Sequence, residues 1–501
     1  MDGTGERHPR RWLILVVLCL STLVLVVDNM VLTVALAPLA EDLGTSAQET
    51  QWILDSYILV FAGLLLTSGG LGDRFGRRKI MIVGLALFGA ASLVATFAAG
   101  PVELIAARVV MGIGGALIMP STLSILITVF DDTERRKAMS VWSAVAMIGL
   151  VGGPVLGGAL IAWFWWGAVF LINVPIAGLA IIAALLLMPE SQGPWRKPDP
   201  LGAVLSFAGM TALVATIIEL PRAGLGHPVT LTALAVAVLG LTGFVLWELR
   251  VAHPLVPLGL FRNRDFSGGS LSLTLVQIGN GGLLLVLAQY LQFVLGYTST
   301  QAGLAFIPMA VASLLANTAG AALGQRLGNR TLATTGLLVM AASFGVLSTV
   351  SDGQGFTTLA VGLALLGIGG GLAMPSAISS LMSAVPKDHA GVGSALNDTI
   401  QQMGAALGVA ILGSVLSSGF GSAMPASAPE SAKRSMADAL AVPGLGDAAR
   451  SAFTSAVSTT FVVSGCGVAA AAVLAFLVLR NHKAAPADRT PQEPEAAGVA
   501  A

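Results

Sequence analysis

The chain is a succession of long apolar runs separated by short polar turns. A helix needs roughly 20 apolar residues to cross the hydrocarbon core of a bilayer. Fourteen such runs can be marked out between Trp12 and Leu479. Only 10% of the residues are charged and 55% are hydrophobic, whereas soluble domains carry about 25% charged residues. In lipid each backbone N–H and C=O must be satisfied within the protein, so these runs predict an all-α polytopic membrane protein. With the N-terminus placed in the cytoplasm, every Lys and Arg outside the spans falls on that side except Arg222, Lys433, Arg434 and Arg450. That asymmetry supports the number of spans and puts both termini in the cytoplasm of a bacterial plasma membrane. The first run follows Arg7, Arg10 and Arg11 and continues into Asp28-Asn29 without a small-x-small cleavage site, so it reads as a retained first span.

The composition excludes several function classes. The net charge of zero does not bear on nucleic acid, but no basic patch carries interleaved aromatics, so no nucleic-acid partner is expected. None of the lysines (Lys79, Lys137, Lys197, Lys387, Lys433, Lys483) is followed by Ser or Thr, and a phosphate-cradling loop is therefore missing. Cys19 and Cys466 sit within apolar runs and read as small buried hydrophobes. His8, His227, His253, His389 and His482 lie outside the spans or at their edges. No metal, cofactor or nucleophile–base set emerges, so the chain reads as a monomer that is not an enzyme. No soluble segment is long enough for an appended signalling domain, which counts against a non-transporting sensor.

The chain repeats itself. Gly112-Ile-Gly-Gly-Ala-Leu-Ile-Met-Pro-Ser121 recurs as Gly367-Ile-Gly-Gly-Gly-Leu-Ala-Met-Pro-Ser376. At the same spacing Gly149, Gly153 and Gly158 fall on Gly404, Gly408 and Gly413. Two pseudo-symmetric six-helix bundles follow, with two helices inserted between them: a cytoplasmic N-terminus 1–11, a first bundle 12–189, a linker with two extra spans 190–266, a second bundle 267–479 with an external loop 418–453, and a disordered cytoplasmic tail 480–501. Duplicated halves of this kind place a substrate site near the bilayer midplane, where the halves meet.

The turn Gly69-Gly-Leu-Gly-Asp-Arg-Phe-Gly-Arg-Arg-Lys79 joins the second and third runs. Arg74, Arg77, Arg78 and Lys79 hold it out of hydrocarbon. Gly70, Gly72 and Gly76 allow a sharp turn and close helix approach. Asp73 is placed to pair with an arginine or to cap a helix. A worn copy appears at Leu323-Gly-Gln-Arg-Leu-Gly-Asn-Arg330.

Ionisable groups inside spans are functional candidates. Asp28, Asp55, Arg108 and Asp398 qualify. Asp28 and Arg108 reach similar depths and can pair, either as a proton-coupling device or as a fixed ion pair that orients helices. Asp55, near Trp52 and Tyr57, is either an interfacial residue in water or a second acid at the mouth of a cavity. Ser394, Asn397, Asp398, Gln401 and Gln402 fall on one helix face, which lines a cavity or forms an interhelical hydrogen-bond seam. The candidates are Asp28, Arg108 and Asp398 for proton coupling, and Asp28, Asp55, Tyr57, Asn397, Asp398 and Gln401 for substrate binding. In the fifth run, Gly149, Gly153 and Gly157 form a small-xxx-small groove, and Pro154 removes a backbone hydrogen bond.

Taken together, these motifs resemble the major facilitator superfamily of secondary transporters. The Gly69–Lys79 turn resembles its signature between helices 2 and 3. Gly149–Gly158 resembles the span 5 motif of its drug:proton antiporters. Leu104-Ile-Ala-Ala-Arg108-Val-Val-Met-Gly112 is similar to its span 4 motif, with Met111 where Gln is usual. Asp28-Asn-Met-Val-Leu-Thr-Val-Ala-Leu-Ala-Pro38, Trp52-Ile-Leu-Asp55-Ser-Tyr57, Phe170-Leu-Ile-Asn173-Val-Pro175 and the Asp398 face resemble the fourteen-span branch. The resemblance implies alternating-access efflux of lipophilic, cationic or neutral drugs or antibiotics in exchange for protons. Proton-coupled import of a small metabolite is the alternative.

Overall fold

The computed structural model describes residues 9–45, 47–193, 199–252, 254–350, 356–386, 389–430, 432–433, 436–440 and 442–479. The tail 480–501, most of the N-terminal segment and linker residues 194–198 lie outside this set, as does the side chain of Pro154. The first bundle is α1 (Arg11–Asp42), α2 (Ala47–Phe75), α3 (Arg77–Thr96), α4 (Pro101–Val129), α5 (Asp132–Trp163) and α6 (Ala168–Leu187, with a turn at Ile172). A hairpin of α7 (Pro200–Ala223) and α8 (Pro228–Glu248) follows. The second bundle is α9 (Arg264–Gln289, continued by a π turn at Tyr290–Val294), α10 (Ile307–Leu327), α11 (Asn329–Leu347), α12 (Phe356–Ser383), α13 (Ala390–Ala423) and α14 (Gly446–Val478). Among the described residues thirteen helices are long and apolar enough to cross a membrane, α5 being the remaining long helix.

The helices outrun the apolar runs at the far end. α13 continues to Ala423 and α14 starts at Gly446, so the connection between them is shorter than 418–453. Ala432, Met436 and Ala439 in that connection are buried in the second bundle's apolar core. Cys466 corrects the reading of both cysteines as buried. Cys19 is buried but Cys466 is exposed on α14, on a surface shared with Val462, Val463 and Val473. An apolar run in a membrane protein has a lipid face as well as a core face, and sequence hydropathy does not separate the two.

Matching close approaches give the duplication a physical form. α3 packs on α4 as α11 packs on α12, α2 on α4 as α10 on α12, and α1 on α5 as α9 on α13. A Cβ at Gly112 would stand 2.8 Å from the Tyr57 carbonyl oxygen, and one at Gly367 would strike the Met309 carbonyl. Gly114 meets Gly84 at backbone distance, and Gly369 meets Gly336 in the same way. Gly76 and Gly328 precede α3 and α11 with φ of 110° and 81°, a region that L side chains avoid. The two halves meet where α2 packs on α13 and where α5 packs on α10.

The groove on α5 receives α1. A Cβ at Gly149 would touch Val26, one at Gly153 would overlap Met30, and one at Gly157 would press on Val31. Gly153→Leu is therefore expected to force α1 and α5 apart at about 1–3 kcal/mol. It should lower the midpoint of thermal unfolding in detergent by several degrees. Gly152→Ala points at open space and should leave that midpoint in place.

Candidate functional site

Four features of the folded chain carry chemistry. The first is a polar core in the first bundle. Arg108 on α4 donates from Nη1 to Asp28 Oδ2 at 2.7 Å and from Nε to the Ile53 carbonyl at 3.1 Å. Asn173 on α6 donates to Asp28 Oδ1 at 2.8 Å and reaches Ser92 Oγ on α3 at 3.3 Å. The Arg108 guanidinium lies 4.2 Å from the centroid of the Tyr57 ring on α2. Asp28, Arg108, Asn173 and Tyr57 are all buried. One ion pair thus ties α1, α2, α3, α4 and α6, with both carboxylate oxygens bonded as a buried charge requires.

The second bundle repeats this backbone without its charges. The matched close approaches put Met309 at the place of Tyr57, Leu363 at that of Arg108 and Phe344 at that of Ser92. Met309, Leu363 and Phe344 are buried.

The second feature is the polar face of α13. Ser394, Asn397, Asp398 and Gln401 are buried. Asn397 Nδ2 donates to Asp398 Oδ1 at 2.9 Å, while Asp398 Oδ2, Asn397 Oδ1, Ser394 Oγ and Gln401 Nε2 have no hydrogen-bond partner among the described residues. No lysine or arginine among the described residues pairs with Asp398. Asp55 is half-buried on α2.

The third feature is a clasp at the basic turn. Asp73 Oδ1 accepts from Arg77 Nη2 at 2.7 Å and from the Gly391 N–H at 3.0 Å, and Oδ2 accepts from the Val392 N–H at 3.2 Å. The carboxylate therefore caps the free N–H groups at the start of α13, where the helix dipole favours negative charge. Gly69 lies backbone to backbone against Gly391, so α2 and α13 touch at this end. Both connectors dock on the same turn. The Gly193 N–H donates to the Asp73 carbonyl at 2.8 Å, Glu190 Oε1 accepts from the Arg78 N–H at 3.1 Å, and Leu255 lies against Gly70. Sequence spacing marked Gly70, Asp73, Arg74, Gly76 and Arg77 but carried no sign of these cross-bundle partners.

The fourth feature is a cavity of about 190 Å³ between α5 and the second bundle. Its polar lining is Ser143 on α5, Gln277 and Asn280 on α9, and Ser313 and Asn317 on α10. Leu284, Met309, Leu366, Met374 and Ala405 supply most of the apolar wall. Asp28, Asp55, Tyr57, Asn397, Asp398 and Gln401 do not line it. Asp398 is two turns from Ala405 on the same face of α13, about 10 Å along the axis, and lies between the cavity and the clasp. The signal that would have found the lining was the presence of carboxamides inside apolar runs. A search confined to ionisable groups passes over Gln277, Asn280 and Asn317.

Removing one partner of the core ion pair strands the other. Arg108→Ala is expected to cost about 3–5 kcal/mol, read as a lower unfolding midpoint in detergent. Asp73→Ala removes the cap from α13 and one partner of Arg77. It is expected to raise the rate at which a maleimide labels Ala395→Cys, a buried position beside Gly69, by about tenfold for each 1.4 kcal/mol of clasp lost.

Comparison with known proteins gives the family. The family model described as Major Facilitator Superfamily matches residues 18–261 and 269–501. The multidrug efflux pump LfrA of Mycolicibacterium smegmatis is 35% identical over 96% of this chain and 98% of its own. The tetracenomycin C resistance and export protein of Streptomyces glaucescens is 32% identical over 97% and 94%. The methyl viologen resistance protein SmvA of Salmonella typhimurium is 35% identical over 83% and 84%. Among solved structures, the human organic anion transporter MFSD10 (TETRAN) shares the fold with a TM-score of 0.63 at 15% identity, over 93% of this chain and 100% of that one. With both halves covered by one family model and relatives matched nearly end to end, the chain belongs to the Major Facilitator Superfamily and is a multi-pass membrane transporter rather than an enzyme.

Proposed function

We propose that this chain is a fourteen-span drug:proton antiporter of the bacterial plasma membrane, with cytoplasmic termini, working as a monomer. It exports lipophilic drugs or antibiotics, cationic or neutral, by alternating access. The names of its relatives support drug efflux: a multidrug pump, an antibiotic export protein and a methyl viologen resistance protein.

The observation that carries the mechanism is Asp398, a buried carboxylate with a single hydrogen-bond donor among the described residues, on the same helix face as the cavity wall. An uncompensated anion there costs several kcal/mol, so the group is suited to gain a proton in one state and lose it in another. Asp28 is a second carrier. Its charge is balanced by Arg108, and it releases or takes a proton only when that pair is pulled apart. In the clasped state Asp73 holds the cytoplasmic end of α13 against α2. Breaking the clasp opens the cavity inward, where cargo enters from the cytoplasm or the inner leaflet. Closing it turns the cavity and its cargo outward, where a carboxylate takes an external proton as cargo leaves, and the return to the inward state lets that proton leave on the cytoplasmic side. One inward proton at 100 mV contributes about 2.3 kcal/mol, and a pH gradient adds to it.

The test is accumulation of a panel of lipophilic drugs and dyes in a pump-deficient host. Cells expressing the chain should accumulate less than control cells, and a protonophore should erase the difference. Asp398→Asn is expected to abolish energised efflux while the purified variant still binds dye. Unchanged proton-driven efflux in Asp28→Asn, Asp55→Asn and Asp398→Asn would refute the carboxylate mechanism. Dye uptake into everted vesicles on energisation separates export from import.

A further inference from the structure

We infer that the cavity selects an uncharged, lipophilic cargo bearing a hydrogen-bond donor, and that Asn317 and Ser143 are the residues that select it. The inference rests on reading this cavity as the cargo site. Among the described residues no charged side chain lines it. The acid that shares its α13 wall, Asp398, is about 10 Å further along the helix and is itself buried. A cation seated against Leu284, Met309 and Met374 would have no counter-charge on the wall, and an isolated charge in apolar surroundings is the costliest group to desolvate.

The polar lining is unfinished in a specific way. Asn317 on α10 is 2% exposed, and its Nδ2 donates to Ser313 Oγ at 3.5 Å. In this orientation Oδ1 has no donor among the described residues. Ser143 on α5 is 4% exposed, and its Oγ likewise has no partner among the described residues. A buried acceptor without a donor is costly, and a cargo O–H or N–H relieves that cost. A site built to bond such a group rejects an analogue that lacks it far more strongly than an apolar pocket rejects a missing methylene. The two residues also belong to different halves. Both line one cavity, and a cargo hydroxyl that donates to Asn317 Oδ1 and accepts from the Ser143 hydroxyl bridges α10 and α5, so recognition and the relative position of the bundles are read by the same cargo group. The cargo class is a neutral lipophilic molecule with an O–H or N–H donor.

The experiment uses the full-length chain in nanodiscs and three probes: Nile red, its 2-hydroxy derivative, and the permanent cation tetraphenylphosphonium as competitor. The hydroxylated dye is expected to bind about tenfold more tightly than Nile red, and tetraphenylphosphonium to displace it poorly. Ser143→Ala and Asn317→Leu are each expected to bring the two dyes to within about twofold of each other. Asn317→Ser replaces Asn317→Leu if size-exclusion chromatography shows the leucine variant misfolded. Equal affinity for the two dyes in the wild type, a preference that survives both variants, or tighter binding of tetraphenylphosphonium than of the hydroxylated dye would overturn the inference. Energised flux in everted vesicles is measured alongside. A hydroxyl preference in nanodiscs without proton-driven flux supports the selectivity and overturns the efflux reading. Flux without the preference overturns the selectivity alone.

Discussion

The cost of an uncompensated charge in hydrocarbon governs where this protein keeps its ionisable groups. Deep in the first bundle, the Arg108 charge is met by Asp28, the Ile53 carbonyl and the face of Tyr57, and Asp28 is met in turn by Asn173. At the basic turn, Asp73 is met by Arg77 and by the free N–H groups of α13. Both sites satisfy the demand that a buried charge be paired and fully hydrogen-bonded. Among the described residues Asp398 has one donor and no cation, and it stands out for that reason.

The duplication conserves shape rather than chemistry. Gly112 over Tyr57 and Gly367 over Met309, or Gly84 on Gly114 and Gly336 on Gly369, are the same backbone crossings made twice. Crossings this close need glycine because any Cβ would enter the neighbouring backbone. The side chains built on them differ. The first half buries an ion pair, and at the matching places the second half buries Leu363 and Phe344. Among the described residues the cavity is lined almost wholly by the second half, with Ser143 the contribution of the first. The two halves therefore differ, with the buried ion pair in the first and most of the cavity wall supplied by the second.

The clasp links these parts. α13 begins at Asp73, carries Asp398 on the same face two turns before the cavity, and packs against α9, which bears Gln277 and Asn280. The connectors around Glu190 and Leu255 rest on the same turn as Asp73.

The sequence by itself determined the helical class, the placing of the apolar runs, the two-fold repeat and the groove at Gly149, Gly153 and Gly157. Each of these is local or periodic, set by the length of a run, the spacing of small residues or the recurrence of a motif, so no knowledge of neighbours is needed. It also singled out Asp28, Arg108 and Asp398, since an ionisable residue inside a span is conspicuous wherever it lands. Only the tertiary structure decided which partners these residues meet: Asn173 on Asp28, the start of α13 on Asp73, α1 in the groove of α5, lipid rather than core at Cys466. It also decided that uncharged carboxamides, not the acids, line the cavity. The reason is that a helix face acquires its meaning from the helix packed against it, and contacts between residues hundreds of positions apart, such as Asp73 with Gly391, leave no mark on either segment alone.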